Sequence, residues 1–186
     1  MPVVNSSECD FNWTASNFRL LSVDNAFYTL NELKGKKGTV IVFICNHCPY
    51  VIEIVDKLAY EANELKKIEV NLIAIMSNDV ESYPDDSYDN MKKFSIEHKF
   101  KFHYLYDVNQ EVAKKYGAEC TPDFFGFNQR LQLHYRGRIH TLDIKDKKKI
   151  IKRDLYEAMK LISDTNKGPI KQFNSFGCSI KWKNNE

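Results

Sequence analysis

With 186 residues and 43% hydrophobic content, the chain is long enough to bury one sizeable core, and no Gly/Ser/Pro-rich linker divides it. Its 27 basic and 25 acidic residues nearly cancel, and no segment interleaves aromatic rings with positive charge, so nucleic acid is excluded as an expected partner. No apolar run approaches the roughly 18 residues of a membrane-spanning helix, and five cysteines, an odd number, do not make a disulfide scaffold. The first basic residue is Arg19, so no basic start precedes an apolar signal segment, and a cytoplasmic protein is expected.

Residues 1–17 read as an irregular arm that packs Phe11 and Trp13 against the domain and carries Cys9 as a bystander thiol. Residues 18–23 and 26–28 predict a hairpin about Asp24-Asn25, and 30–33 a helical turn ended at Gly35. Gly38 opens an apolar strand, Val40-Ile41-Val42-Phe43-Ile44, whose continuous β-branched and aromatic content suits a strand covered on both faces. Over 50–67 apolar residues recur at three- and four-residue steps, which predicts an amphipathic helix with Pro49 in its first turn. A buried strand at Val70–Met76, a helix from Ser87 as N-cap to His98, a short strand at 102–105 and a helix at 109–116 closed by Gly117 follow. Residues 123–128 and 131–135 read as two strands about Asn128-Gln129-Arg130. A last helix is expected over 146–163, with Ile150, Ile151, Leu155, Ala158, Met159 and Ile162 turned inward.

The alternation predicts an α/β fold: a central mixed β-sheet flanked by helices, with an N-terminal β-hairpin and an antiparallel edge. Residues 18–164 form that domain, and 165–186 a tail, low in regular structure, that packs back on it.

The chemistry concentrates in Cys45-Asn46-His47-Cys48, where the buried strand hands over to the helix. Two thiols two residues apart at such a junction suit dithiol/disulfide exchange. Cys45 is expected at the helix N-terminus, where free N–H groups and the macrodipole favour a thiolate, and hence as the nucleophile. Cys48, one turn into the helix, is expected to be the resolving thiol. His47, protonated or donating to the Cys45 sulfur, would tune that thiolate; a solvated loop histidine is the competing reading. Zinc is the other use of such a pair, but no second CxxC exists, and His47, His103, His134, His140 and Cys120 would have to complete the site. No metal or prosthetic group is expected. Thr121-Pro122 lies directly before a strand, where a cis peptide would turn the Thr121 backbone toward whatever docks at the thiols; the dipeptide alone does not fix the isomer.

These motifs carry a resemblance. CNHCPY after a buried strand, with CTPDFF some seventy residues on, resembles the thioredoxin-like fold. VIVFICNHCPYV, SND, YPDDS, LYD, EVAKKYGAECTPDFFGF, YRGR and GCSIKWK resemble the peroxiredoxin-like branch of the redoxins, related to the alkyl hydroperoxide reductase/thiol-specific antioxidant proteins, over roughly residues 18–182. The resemblance implies a thioredoxin core of four or five strands, a cis Pro122, and Cys45 with Cys48 as the redox pair. Two departures stand out. Peroxiredoxins place Pro and Thr or Ser seven and three residues before the peroxidatic cysteine, whereas counting back gives Gly38 and Val42 from Cys45, or Ile41 and Cys45 from Cys48. The buried Asp that thioredoxins place at the end of the central strand is also missing, which leaves His47 or water to move protons. Arg136 or Arg138 offers a guanidinium, and each also reads as a solvated strand-end charge.

The function expected is thiol–disulfide exchange, with Cys45 attacking, Cys48 resolving, His47 tuning, and Asn46, Thr121 and Pro122 docking the substrate. Protein or small-molecule disulfides and thiols, or peroxides, are the expected partners. A peroxiredoxin-like thiol peroxidase and a non-catalytic binding module with structural or zinc-binding cysteines are the alternatives. Cys120 reads as a small buried hydrophobe or, by analogy, as a thiol close to the mouth of the pair. Cys178 reads as a tail thiol able to resolve a disulfide or sulfenic acid at Cys45, or as one tucked under Trp182. The acidic run at 83–89 reads as a capped, solvated helix start, and the lysines of 145–149 as a solvated face.

Overall fold

A computed structural model describes residues 3–6, 11, 13–143, 145–146 and 149–183, which leaves Cys9 outside the described residues. The arm contributes β1 (Val3–Asn5), and the predicted hairpin forms β2 (Arg19–Ser22) and β3 (Phe27–Thr29). Asn25 takes φ 66° at its turn, a conformation Asn tolerates better than most residues. Thr29 caps α1 (Leu30–Leu33) in a capping box with Glu32. Next come β4 (Gly38–Phe43), α2 (Pro49–Lys67), β5 (Val70–Met76), α3 (Tyr88–Glu97), β6 (His103–Tyr106) and α4 (Glu111–Tyr116). The second half gives β7 (Cys120–Thr121), β8 (Asp123–Asn128), β9 (Leu133–Gly137), β10 (Thr141–Leu142), β11 (Ile150–Lys152), α5 (Asp154–Thr165) and β12 (Phe176–Ser179).

Seven strands form the main sheet in the order β3-β2-β6-β5-β4-β8-β9. β4 runs parallel to β5 and antiparallel to β8, and all six of its residues are buried. Val40, Val42 and Ile44 pack into one layer with Leu58 of α2 and Met159 of α5, while Ile41 and Phe43 pack into the other with Val112 and Tyr116 of α4. That alternation is the period of two required of a strand covered on both faces. The fold is thioredoxin-like: five core strands, β6-β5-β4-β8-β9, with the β2–β3 hairpin extending the sheet. Among the described residues no helix is long and apolar enough to cross a membrane.

Three expectations are revised. The strand after the 128–130 turn begins at Leu133, because Asn128 Oδ1 accepts from the N–H of Arg130 and Gln132 (2.9 and 3.0 Å) and Leu131 turns through φ 61°. The last helix begins at Asp154: Ile150 and Ile151 lie in β11, antiparallel to β10, with Ile151 55% exposed. Arg153 grips buried Glu61 of α2 through two bonds (2.7 and 2.6 Å), and Asp154 and Glu157 then occupy the first turn, where the helix dipole favours acids. The tail is the third revision. It forms β12, inserted between β1 and β7 in a second, three-stranded sheet.

Candidate active site

β4 ends at Phe43, the N–H of Ile44 still bonds to Ile75 O (3.0 Å), and the chain then bends through Cys45, Asn46 and His47. Pro49 sets the first helical residue, since its fixed φ suits that place and its missing N–H is one a helix leaves unpaired there. Cys48 is therefore the N-cap, its carbonyl accepting from Val51 and Ile52 (2.9 and 3.0 Å). The expected order is corrected: Cys48, not Cys45, sits at the positive end of the helix dipole. Both thiols are buried, at 0% and 1% exposure respectively.

The Thr121–Pro122 peptide opposite them is cis. Cys48 Sγ lies 3.1 Å from Thr121 O, and Cys45 Sγ 3.5 Å from Thr121 Oγ1. The hydrogen bond between the two sulfurs is the largest influence on both. Cys45, as its donor, is pushed well above the usual thiol range, with burial and the Asp86 carboxylate adding to the effect. Cys48, as its acceptor, is pulled down to about 4; burial opposes this, while Thr121 and the thiol and backbone N–H of Cys178 reinforce it. The Thr121 carbonyl accepts from Cys48 only while that thiol keeps its proton.

Cys178 thus lies against Cys48, while Trp182 is 41% exposed. Cys120 is a buried hydrophobe whose S–H donates to Pro122 O (3.6 Å) and whose pKa burial drives up.

Asp86 is the residue that sequence reasoning missed. It lies in the short 3-10 turn Pro84–Asp86 of the acidic run expected to be solvated, yet it is wholly buried. Oδ1 accepts from the Asn46 backbone N–H (2.8 Å), and Oδ2 from Asn78 Nδ2 (2.8 Å). Oδ2 also lies 2.8 Å from His47 Nδ1, close but not aligned as a hydrogen bond. The His47 ring stacks on Tyr83, with centroids 5.6 Å apart, so it is a partner of the carboxylate rather than a solvated loop residue. Asn46, expected to meet substrate, is engaged internally: its side chain donates to Asp85 O and accepts from Tyr104 Oη, both at 3.0 Å.

One ligand atom each from Cys45, His47 and Asp86 lie within 4.8 Å of one another. That is one donor short of the four a structural zinc takes, and the carboxylate is already held by Asn46 and Asn78. The cluster therefore reads as a hydrogen-bonded frame for the Cys45–Cys48 loop. Asp86→Ala would leave the Asn46 N–H and the Asn78 amide without their acceptor, and should lower the unfolding free energy by about 2–4 kcal/mol. The measurement is a lower denaturant midpoint at unchanged m, with Asp86→Asn, which keeps an acceptor, losing less.

A cleft of about 230 Å³ runs beside Pro122, lined by Tyr50, Ile54, Phe124 and Phe176 together with Arg138 and His140. Its apolar walls and few polar groups are those of a small ligand groove. Arg136, expected at a solvated strand end, is 6% exposed and donates to Asp123 Oδ2 (2.9 Å) and Gly117 O (2.7 Å). Arg138 Nε donates to Asp154 Oδ2 (2.8 Å). Both guanidinium groups are committed to carboxylates.

Comparison with known proteins adds to this geometry. Residues 12–153 match the AhpC/TSA family. The crystal structure of an uncharacterized conserved protein from Geobacillus kaustophilus is 40% identical, covers 100% of this chain and 99% of its own, and superposes with a TM-score of 0.94. A hypothetical protein from Sinorhizobium meliloti is 30% identical over 97% of this chain and 99% of its own, with a TM-score of 0.91. A secreted disulfide oxidoreductase from Mycobacterium tuberculosis shares the fold at 15% identity, covering 77% of this chain and 94% of its own, with a TM-score of 0.58. No curated protein matches the sequence.

Proposed function

We propose that this chain, which belongs to the AhpC/TSA family of thiol-based redox proteins, is a thiol–disulfide oxidoreductase in which Cys48 attacks and Cys45 resolves. The roles are the reverse of those expected from the CxxC spacing. The observation that carries this reading is the place of Cys48, at the N-cap of α2 and opposite cis-Pro122.

The Cys48 thiolate attacks one sulfur of a substrate disulfide and expels the other as a thiolate, which leaves a mixed disulfide on Cys48. That step removes the negative sulfur to which Cys45 was donating. The largest cause of the raised Cys45 pKa therefore disappears once the mixed disulfide forms. The Cys45 proton can then pass to the neighbouring His47–Asp86 pair, and Cys45 attacks the Cys48 sulfur to release the second substrate thiol. The resolving step is held back until the first has happened.

The test is the pH dependence of Cys48 modification by a small disulfide. With the thiol pulled down to about 4, the thiolate fraction is near one from about pH 5 upward, so the rate should be flat between about pH 6 and 8. An ordinary cysteine, with a pKa of about 8.5, rises close to tenfold per pH unit there, and that behaviour would remove the reading.

A thiol peroxidase is the second reading, favoured by the family itself. Against it, Cys45 stands three residues before Cys48, where the peroxidatic signature has Thr or Ser. Stoichiometric sulfenic acid on Cys48 after a short peroxide pulse, at a rate matching disulfide turnover, would decide for the peroxidase.

A further inference from the structure

The edge of β7 beside cis-Pro122 is where an extended chain would pair to present a thiol to Cys48, and that edge is already occupied. β12 runs antiparallel to it, with Cys178 opposite Thr121 and Ser179 opposite Cys120. The fit is close: a Cβ on Gly177 would lie 2.0 Å from Thr121 O, so only glycine admits the strand at this distance. The strand is also pinned on both sides. Ser175 Oγ donates to Gly137 O (2.7 Å) before it, and beyond it the Lys181 N–H donates to Asn78 Oδ1 (2.9 Å) while Lys181 O accepts from the Asp79 N–H (2.8 Å). Cys178 thus stands opposite the residue whose carbonyl oxygen lies 3.1 Å from the Cys48 sulfur, and its thiol is buried in the same cluster as Cys45 and Cys48. Each of Cys48 and Cys178 shifts the acidity of the other.

Resting on Cys48 as the attacking thiol, we infer that Cys178 is a third redox thiol of this site, carried on a strand of the chain's own that occupies the docking edge, and that Cys48 exchanges its disulfide between Cys45 and Cys178. The chemistry closes without a further reagent. After Cys48 attacks a substrate disulfide RSSR and releases the first RS⁻, Cys178 attacks the Cys48 sulfur as an alternative to the direct attack of Cys45. A Cys48–Cys178 bond forms, the Cys48–SR bond breaks, and the second RS⁻ leaves with the Cys178 proton. Two protein thiols are oxidised and one substrate disulfide becomes two thiols. Attack of Cys45 on Cys48 then moves the disulfide inward to Cys45–Cys48 and returns the proton to Cys178. The strand fixes the geometry of the exchange, because Cys178 cannot leave Cys48 while both flanks of β12 are tied.

The test uses the full-length Cys45→Ser variant, which keeps Cys178 on β12 opposite Thr121. After stoichiometric reaction with 5,5′-dithiobis(2-nitrobenzoate), disulfide mapping by mass spectrometry should find the Cys48 peptide joined to the Cys178 peptide. Adding Gly177→Val, which forces β12 off Thr121, should lose that crosslink and leave Cys48 as the nitrothiobenzoate mixed disulfide. A mixed disulfide that already persists on Cys48 in Cys45→Ser alone would overturn the inference and leave Cys48 as the attacking thiol intact. Cys48 left unmodified in every variant would overturn both.

Discussion

Cys48→Ser is expected to lose thiol–disulfide exchange by about a hundredfold, while Cys45→Ser keeps the first step within a few-fold and is altered only in the second. In Cys48→Ser the influence of Cys48 on the two remaining thiols is gone, while burial still raises both Cys45 and Cys178. Neither thiol stands at the N-cap position facing Thr121, and displacing a reacting atom by an ångström or so has an effect of about a hundredfold.

In Cys45→Ser a hydroxyl still donates to the Cys48 sulfur, so the attacking thiolate persists. Single-turnover release of the first chromogenic thiol measures this step directly. Wild-type-like release from Cys48→Ser together with loss in Cys45→Ser would restore the order expected from the sequence. The double variant Cys45→Ser/Cys178→Ser separates the later steps, since it should accumulate the mixed disulfide that either single variant resolves.

The sequence made the frame of this site legible and left its closure obscure. β4, α2, β5 and β8 were readable because each is specified by its own residues: an unbroken apolar run, a helical period, and a strand boundary at Pro122. Pro49 also held the information that places Cys48 at the N-cap, since a proline at the first helical position implies that the residue before it is the cap. The CxxC spacing put Cys45 at the helix N-terminus, three residues before the observed cap. Asp86 carries no such local mark. It lies among exposed acids, and its burial comes from Asn46, 40 residues before it, and Asn78. β12 was unreadable for a similar reason: Phe-Gly-Cys-Ser has no alternating pattern, and its partner strand is far away in the chain. Ile150 and Ile151 fit a helical period, and only Arg153 reaching Glu61, 92 residues away, shows why the helix waits until Asp154.

Arg136→Met should destabilise the protein by about 3–5 kcal/mol, the effect of leaving one member of a buried ion pair without its partner. Asp123 is wholly buried and directly follows cis-Pro122, in register with Phe43 at the end of β4. The Arg136 guanidinium reaches it from β9, bonds to Gly117 O at the end of α4, and lies 4.5 Å over the Phe125 ring. One cation therefore ties the docking edge to two neighbouring elements. Burial already pushes the Asp123 pKa up, with Arg136 the main opposing influence, so the variant raises it further. The sign of the pH dependence follows from proton binding. An acid whose folded pKa exceeds its unfolded value of about 3.9 binds more protons when folded, so stability falls as pH rises from about 4 to the folded pKa and is level above it. Denaturant unfolding of Arg136→Met at several pH values should thus show its deficit shrinking toward pH 4. Asp123→Leu/Arg136→Met should recover much of the loss at neutral pH, because a pair of apolar side chains leaves no charge to desolvate. A deficit in Arg136→Met that is independent of pH, or a double variant no better than the single, would mean that Arg136 acts through its packing on Phe125 and not through the charge of Asp123.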